Sequence, residues 1–540
     1  MRLIKYFAIV FFLVAASGLR AAPALWTPDL GNGRFKNPVL FLDYSDPDVI
    51  RVGSNFYLVA SSFECVPGLP ILHSKDLVNW EIVTYALPRL IPDDHFSVPH
   101  HGEGVWAPSI RFHAGLYYIY YPDPDYGIYV VTATDPKGPW SEPVLVHGGK
   151  GLIDPCPLWD DDGKVYLVHA WAASRGPRSN RLTVESLAPD GMSVIEPRKD
   201  VVDGKTLPGW TTIEGPKFYK RHGYYYIFAP AGGVTRGYQA VFRSKNVFGP
   251  YENRIVLTQG DTAINGPHQG AWVDTESGED WFLHFQDMFS FGRVVRLEPM
   301  VWRPDDWPVI GSDPKDTGTG SPVTEFRKPK TAPEPIQTLP LSDEFKGPTI
   351  GLQWQWNANP KDGWYSLAES QSNLRLTAVP CDPLTMASAG NLLLQKFPGP
   401  SFTATTALDF TNGEPGEQAG LIVFGHDYFW VGLRKTDAGF QLVRGTFFGS
   451  SSRHAETDDI RPEVPTGMVY LRVSISTEAV GQFSWSRDAT HFMPLGEPFR
   501  ATAGRWVGAK VGVFAAMPQH HPGFPGFADF DWFRVTPVIP

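Results

Sequence analysis

Asp46-Pro47-Asp48-Val49-Ile50, followed by Gly53 and then Phe56-Tyr57-Leu58, is a phrase that the chain repeats four more times. The copies open at Ala107-Pro108-Ser109-Ile110, Asp154-Pro155-Cys156-Pro157-Leu158, Glu214-Gly215-Pro216-Lys217-Phe218 and Gln269-Gly270-Ala271-Trp272. Each runs through a glycine (Gly115, Gly163, Gly223, Gly278) into a second apolar, aromatic stretch. Two short apolar runs around a glycine turn read as a β-hairpin. A repeat of about 45 to 60 residues suits one four-stranded blade per copy of a β-propeller. A second echo marks the blade rims: Ser74-Lys75-Asp76 ends in Asn79-Trp80, Thr134-Asp135-Pro136 in Gly138-Pro139-Trp140, and Ser244-Lys245-Asn246 in Gly249-Pro250-Tyr251.

Propeller symmetry brings equivalent positions of all blades to one central axis. Here those positions are Asp46, Ala107, Asp154, Glu214 and Gln269, so three carboxyl groups are expected to converge. Like charges at close range raise one another's pKa, a cost that folds carry chiefly where function uses it.

The chain has 540 residues, so a five-bladed array leaves about 200 for a second domain. The predicted fold is all-β, a five-bladed propeller followed by a β-sandwich. Its expected parts are a signal peptide over 1–22, the propeller over 30–310, a Gly-, Pro- and Ser-rich connection over 311–340 and the sandwich over 341–540. Strands such as Gly420-Leu421-Ile422-Val423-Phe424 and Phe530-Asp531-Trp532-Phe533 support the sandwich. Arg2 and Lys5, an apolar run from Tyr6 to Ala16 and small residues up to Ala22 predict a secreted or periplasmic protein without a membrane anchor. The net charge of −10 and the lack of a Lys/Arg cluster exclude a nucleic-acid partner. Three cysteines, Cys65, Cys156 and Cys381, do not make a disulfide framework.

Two carboxylates suffice to cleave a glycosidic bond, one donating a proton to the leaving oxygen and one serving water or attacking directly. A third acid nearby keeps the donor protonated. Asp46, Asp154 and Glu214 meet that requirement. Asp48 reads as a structural acid, Asp160-Asp161-Asp162 as a hairpin turn and Cys156 as a buried filler.

Beyond these residues, Asn37-Pro38-Val39 before Ser45-Asp46-Pro47-Asp48, then Trp106-Ala107-Pro108, Ile153-Asp154-Pro155, Asp161-Asp162-Gly163 and Glu214-Gly215-Pro216 before Tyr224-Tyr225-Tyr226 resemble glycoside hydrolase family 43. The resemblance spans about residues 37 to 310, and the second domain resembles the concanavalin-like sandwich of some members. It implies inversion at the anomeric carbon, with Asp46 as general base, Glu214 as general acid and Asp154 tuning and orienting the acid. An inverting pair stands roughly 6.5 to 9.5 Å apart. It implies an exo-acting glycosidase that releases terminal β-D-xylose or α-L-arabinofuranose from plant cell-wall oligosaccharides, with no cofactor needed for the chemistry. Trp106, Phe63, Arg293 and His268 are the expected sugar-binding residues, with Arg296 competing for the arginine role. The resemblance further suggests a structural calcium ion in the channel near His268. His100 and His101 sit on an expected channel-mouth loop, and Phe524 or Phe527 of the sandwich is expected to narrow the pocket. Rival readings are an endo-acting arabinanase, a retaining fructan hydrolase and a non-catalytic carbohydrate-binding propeller.

Overall fold

Every repeated phrase folds into the first hairpin of a four-stranded antiparallel sheet. A computed structural model describes residues 24–369, 373–382, 385–449, 457–464, 467–519 and 523–538, so the expected signal segment lies outside the described residues. Blade I consists of Asp48–Val52, Asn55–Val59, Gly68–Ser74 and Glu81–Leu87. Blade II is Ser109–His113, Leu116–Asp123, Gly127–Ala133 and Val144–Gly148. Blade III is Leu152–Trp159, Val165–Trp171, Arg181–Leu187 and Val194–Asp203. Blade IV is Lys217–Arg221, Tyr224–Ala231, Tyr238–Ser244 and Glu252–Leu257. Blade V is His268–Asp274, Asp280–Asp287, Arg293–Trp302 and Pro308–Ile310. The glycine of each first hairpin has positive φ, between 59° and 84°, which is why the repeat keeps glycine there.

The ring is fastened where its ends meet. Leu40 and Val295 exchange backbone hydrogen bonds at 3.2 and 3.1 Å. The Asn37 amide donates to the carbonyls of Leu297 and Val323, and its oxygen accepts from Leu297 N–H. Arg34–Lys36 pairs antiparallel with Glu325–Arg327. The 311–340 connection is therefore a strap laid along the propeller. Lys328 clamps it there through Asp29 and Asp76, at 2.5 and 2.7 Å.

The second domain stacks two sheets, in which sequence alternation decides the inner face. Met468–Ile475 buries Val469, Leu471, Val473 and Ile475 and turns the residues between them outward. One sheet orders Tyr365–Ser366, Leu374–Thr377, Phe527–Thr536, Phe402–Asp409, Met468–Ile475, Val480–Ser486 and Met493–Arg500. The other centres on Lys510–Pro518, flanked by Leu393–Lys396 and Gln418–Phe424.

One apolar core runs through both domains. Phe291 of the propeller touches Phe41 at 6.0 Å and Phe397 of the sandwich at 6.1 Å between ring centres. Val66 and Trp356 pair across the boundary by backbone hydrogen bonds, and the Asn359 side chain both donates to Leu90 C=O and accepts from its N–H. Burying each large apolar side chain of this core, such as Phe41, Phe291 and Phe397, stabilises by roughly 1.5–3 kcal/mol, so the sandwich is held as part of the same body.

Candidate active site

The blade openings aim their side chains by local backbone distortion. Asp46, Asp154 and Gln269 have φ of 56°, 57° and 41°, a left-handed conformation that non-glycine residues adopt at a cost of about 1–3 kcal/mol. At Asp154 and Gln269 the strand register also slips, between Ile153 and Cys156 and between His268 and Gly270. A bulge next to a site re-aims a side chain, and these two turn theirs inward.

All five openings line one cavity of about 250 Å³, together with Phe63, Trp106, Thr212, Val234, Arg293 and Trp506. A groove of about 310 Å³ between the domains, lined by residues such as Trp26, Phe41 and Leu339, carries no acid, base or histidine, so the chemistry points to the smaller cavity.

Asp46 accepts hydrogen bonds from the hydroxyls of Ser45 and Ser61 at 2.8 and 2.6 Å and from the Arg293 guanidinium at 3.1 Å. That all-donor shell suits an ionised carboxylate, which can only accept. Arg293 also donates to Ser45 Oγ at 2.8 Å and lies over the Phe285 ring.

Asp154 accepts Gly215 N–H at 2.7 Å. Gly215 has φ of +59°, and a Cβ there would stand 2.7 Å from the Gln269 side chain, so only glycine lets blades IV and V close over Asp154. Burial raises the Asp154 pKa and the Asp46 charge adds to it, against the Gly215 N–H, the charge of Lys217 and the Gln269 amide. The buried Lys217 ammonium is held by Pro108 C=O and Ser109 Oγ at 2.8 and 2.9 Å.

Glu214 is pushed up by burial and then by the charge of Asp154, with a smaller push from Asp46 and an opposing pull from Arg293. Of the two acids, Glu214 is the better proton holder, because a backbone N–H solvates the anionic form of Asp154.

His268 is buried in blade V, with Nε2 3.5 Å from Glu214 Oε1. Burial, Arg293 and His284 lower its pKa to about 3, so the ring is neutral. It lies behind the acid, outside the set that lines the cavity, and not in the sugar wall where the sequence suggested it. Both ring nitrogens are buried without a hydrogen-bond partner among the described residues, yet the surroundings do not supply the six to eight oxygen ligands that calcium takes: the imidazole offers nitrogen, its carboxylate neighbour is Glu214, and Arg293 and His284 stand close enough to lower its pKa.

Trp106 and Phe63 do stand in the cavity wall, 6.1 Å apart. Arg296 does not: it is buried and donates to Gln286 Oε1. His100 stacks on His95 at 3.7 Å, and His101 faces Glu64 at 3.3 Å and Ala387 C=O at 3.2 Å, so both build the loop rather than the wall. Asp48 accepts from Ile110 N–H and Arg111, and Cys156 accepts from Phe218 N–H and Arg111, both as structural groups.

The sandwich residue in the wall is Trp506, 5.8 Å from Trp106. Phe524, at 93 % exposure, and Phe527, which packs 3.7 Å from the Arg375 guanidinium, are not in it. The loop that presents Trp506 is fixed from two sides. Buried Asp43 accepts N–H from both Arg293 and Gly508, at 2.9 and 2.8 Å, and Ala509 donates to Ser290 C=O at 2.8 Å. On the other side Arg505 packs so close to Gly102 that a Cβ there would meet it at 2.7 Å.

Residues 35–308 match Glycosyl hydrolases family 43, and residues 342–536 match the Beta xylosidase C-terminal Concanavalin A-like domain. A "Putative beta-xylosidase" of Xylanibacter ruminicola is 37 % identical over 91 % of this chain and 88 % of its own length. The "Non-reducing end alpha-L-arabinofuranosidase BoGH43B" of Bacteroides ovatus is 29 % identical over 94 % of this chain and 96 % of its own. The crystal structure of xylan beta-1,4-xylosidase from Bacillus halodurans superposes with a TM-score of 0.81 at 25 % identity, covering 93 % of this chain and 99 % of that one. The repeated openings, the single cavity in which their acids meet and these likenesses over nearly the whole length agree: the chain belongs to glycosyl hydrolases family 43.

Proposed function

We propose that the protein is an inverting exo-glycosidase that releases terminal β-D-xylose or α-L-arabinofuranose from plant cell-wall oligosaccharides or polysaccharide side chains. The observation that carries this is the meeting of Asp46, Asp154 and Glu214 in one cavity whose rim is completed by a second-domain tryptophan. Its roughly 250 Å³ fall below the ~300 Å³ at which pockets for drug-sized ligands begin, which favours one terminal sugar over a run of polymer.

In the proposed reaction Glu214 gives its proton to the glycosidic oxygen as the bond to the anomeric carbon breaks. Asp46 takes a proton from a water that attacks the same carbon from the opposite face, and the configuration inverts in one displacement. Asp154, the more readily ionised of the two, keeps Glu214 protonated until the leaving oxygen needs the proton. Arg293 holds the Asp46 carboxylate in place with Ser45 and Ser61. Trp106, Phe63 and Trp506 offer faces for the apolar side of the sugar. The chemistry requires no cofactor. Xylopyranose and arabinofuranose present similar hydroxyls around the anomeric centre, so one pocket serves both. The apolar segment within residues 1–22 supports export to the periplasm or medium.

The test is product analysis by proton NMR with xylo- and arabino-oligosaccharides. The reading expects monosaccharide from the non-reducing end, with the inverted anomer appearing first. Internal cuts, or the retained anomer first, would overturn it.

A further inference from the structure

Away from the sugar cavity, blades II and III share a buried cluster that the reaction does not use. His147 stands on the outer strand of blade II, Val144–Gly148, and His169 and Glu185 on the second and third strands of blade III. The ligating atoms of the three lie within 4.8 Å of one another.

The hydrogen bonds fix what His169 can do. Its Nδ1 stands 3.0 Å from the carbonyl of Ala170, which only accepts, so Nδ1 carries the hydrogen. In the neutral ring Nε2 then bears the lone pair. That atom is fully buried, has no hydrogen-bond partner and faces Glu185 Oε1 at 3.5 Å. A lone pair against a carboxylate in a buried site is costly, so a proton or a metal cation stands between them. Two ligands each 2.0–2.2 Å from a tetrahedral ion are about 3.3–3.6 Å apart, the separation found here. An imidazole that donates its other N–H to a backbone carbonyl is also the usual arrangement of a metal ligand. His147 completes the set: its Nδ1 is hydrogen-bonded to Glu185 Oε2 at 3.0 Å, a contact that an ion between the two would replace, and its side chain is 19 % exposed, leaving a way in for an ion and a place for water.

Blade V supplies a comparison inside the same molecule. His284 donates Nδ1–H to Phe285 C=O at 2.9 Å and turns Nε2 to Glu298 Oε1 at 3.4 Å, both residues fully buried. There Glu298 Oε2 accepts Val323 N–H, and among the described residues no second histidine comes within ligand distance. The histidine–glutamate pair alone is thus a device of the blade, and His147 is what blade III adds.

We propose that His147, His169 and Glu185 form a site for a divalent transition cation of the zinc type, with water as fourth ligand. Softer imidazole nitrogens with one carboxylate suit zinc better than calcium or magnesium. The ion joins the edge of blade II to blade III and takes no part in sugar cleavage.

The experiment strips the full-length protein with a chelator, removes the chelator, and titrates with Zn2+, reading metal content after dialysis and the melting temperature. Co2+ in its place reads the geometry through its visible bands. One ion per chain, a raised melting temperature and tetrahedral cobalt bands are expected. His147→Asn, at a partly exposed position, should weaken binding at least ~10-fold. His100→Asn, in the separate His95–His100–Glu103 group, should leave it unchanged. The proposal is overturned if no ion binds, if His147→Asn binds as the parent does, or if His100→Asn alone abolishes binding.

Discussion

Replacing Asp154 by asparagine removes one negative charge beside Glu214 while keeping an oxygen to accept Gly215 N–H, now 2.7 Å from Oδ2. The Asp154 charge follows burial among the causes that raise Glu214, so its loss lets Glu214 ionise more readily. Charges within ~4–6 Å shift a carboxyl by about 1–3 units, each worth about 1.4 kcal/mol. With Arg293 opposing and the cavity open to water, the low end applies, about one to two units. The sign follows from the role: the acid must be protonated, so activity falls as pH rises through the Glu214 pKa. In Asp154→Asn the alkaline limb of the kcat/KM profile should therefore move down by about one to two pH units. The rate at the new, lower optimum should fall less than the rate at pH 7. The assay is kcat/KM on p-nitrophenyl β-D-xylopyranoside and α-L-arabinofuranoside from pH 4 to 9, with circular dichroism as a fold control. An alkaline limb that stays in place, or moves up, would refute the electrostatic link between the two acids.

Trp506→Ala removes an aromatic wall 5.8 Å from Trp106 at a residue 40 % exposed; KM should rise about tenfold, equal to about 1.4 kcal/mol, with the melting temperature nearly unmoved, and an unchanged KM would count against a sandwich contribution to the pocket. Arg293→Met removes the charged donor 3.1 Å from Asp46; a charge-assisted hydrogen bond is worth about 1.5–3 kcal/mol, so kcat/KM should fall roughly 10- to 150-fold, and full activity would exclude the positioning role. Burial would raise Glu64 above its ordinary 4.5, but the His101 hydrogen bond and the charges of Lys510 and His101 hold it at about 2. A carboxyl depressed in the fold contributes stability above pH 4.5 that is lost as pH falls toward 2, here about 3 kcal/mol. The urea midpoint should drop between pH 6 and 3 more steeply in the parent than in Glu64→Gln, and parallel slopes would contradict that assignment.

The blades were legible because their signal is periodic: an acid or its equivalent, an apolar run, a glycine with positive φ, an aromatic run. Periodicity also carried Asp46, Asp154 and Glu214, since equivalence between blades places equivalent residues at one axis. Contacts between distant segments have no such signal. Trp506 lies some 400 residues from Trp106 in sequence, in a loop whose aromatic looks no different from Phe524, and what brings it to the cavity is a set of long-range contacts: Asp43, which grips Gly508 and Arg293 at once, Ser290, and the packing of Arg505 on Gly102. The 311–340 strap reads as a loose connection because its fastening is made by one three-residue strand, paired with a segment about 290 residues away, and by single side chains such as Lys328 and Asn37. His268 stands 3.5 Å from Glu214 and behind it, where the register slips before Gly270, and one sequence does not reveal that slip. Arg293 and Arg296 differ by three positions in one strand, and the pleat turns the first to the cavity and the second to Gln286.

The central claim is that Glu214 delivers the proton to the leaving oxygen. Its most direct test compares Glu214→Gln with the parent on p-nitrophenyl β-D-xylopyranoside, whose leaving group departs without help, and on xylobiose, whose leaving group needs a proton. With Glu214 as the donor, kcat/KM on xylobiose should fall by about 10²–10⁴-fold, with a much smaller loss on the aryl glycoside. Equal losses on both, or none on xylobiose, would contradict it.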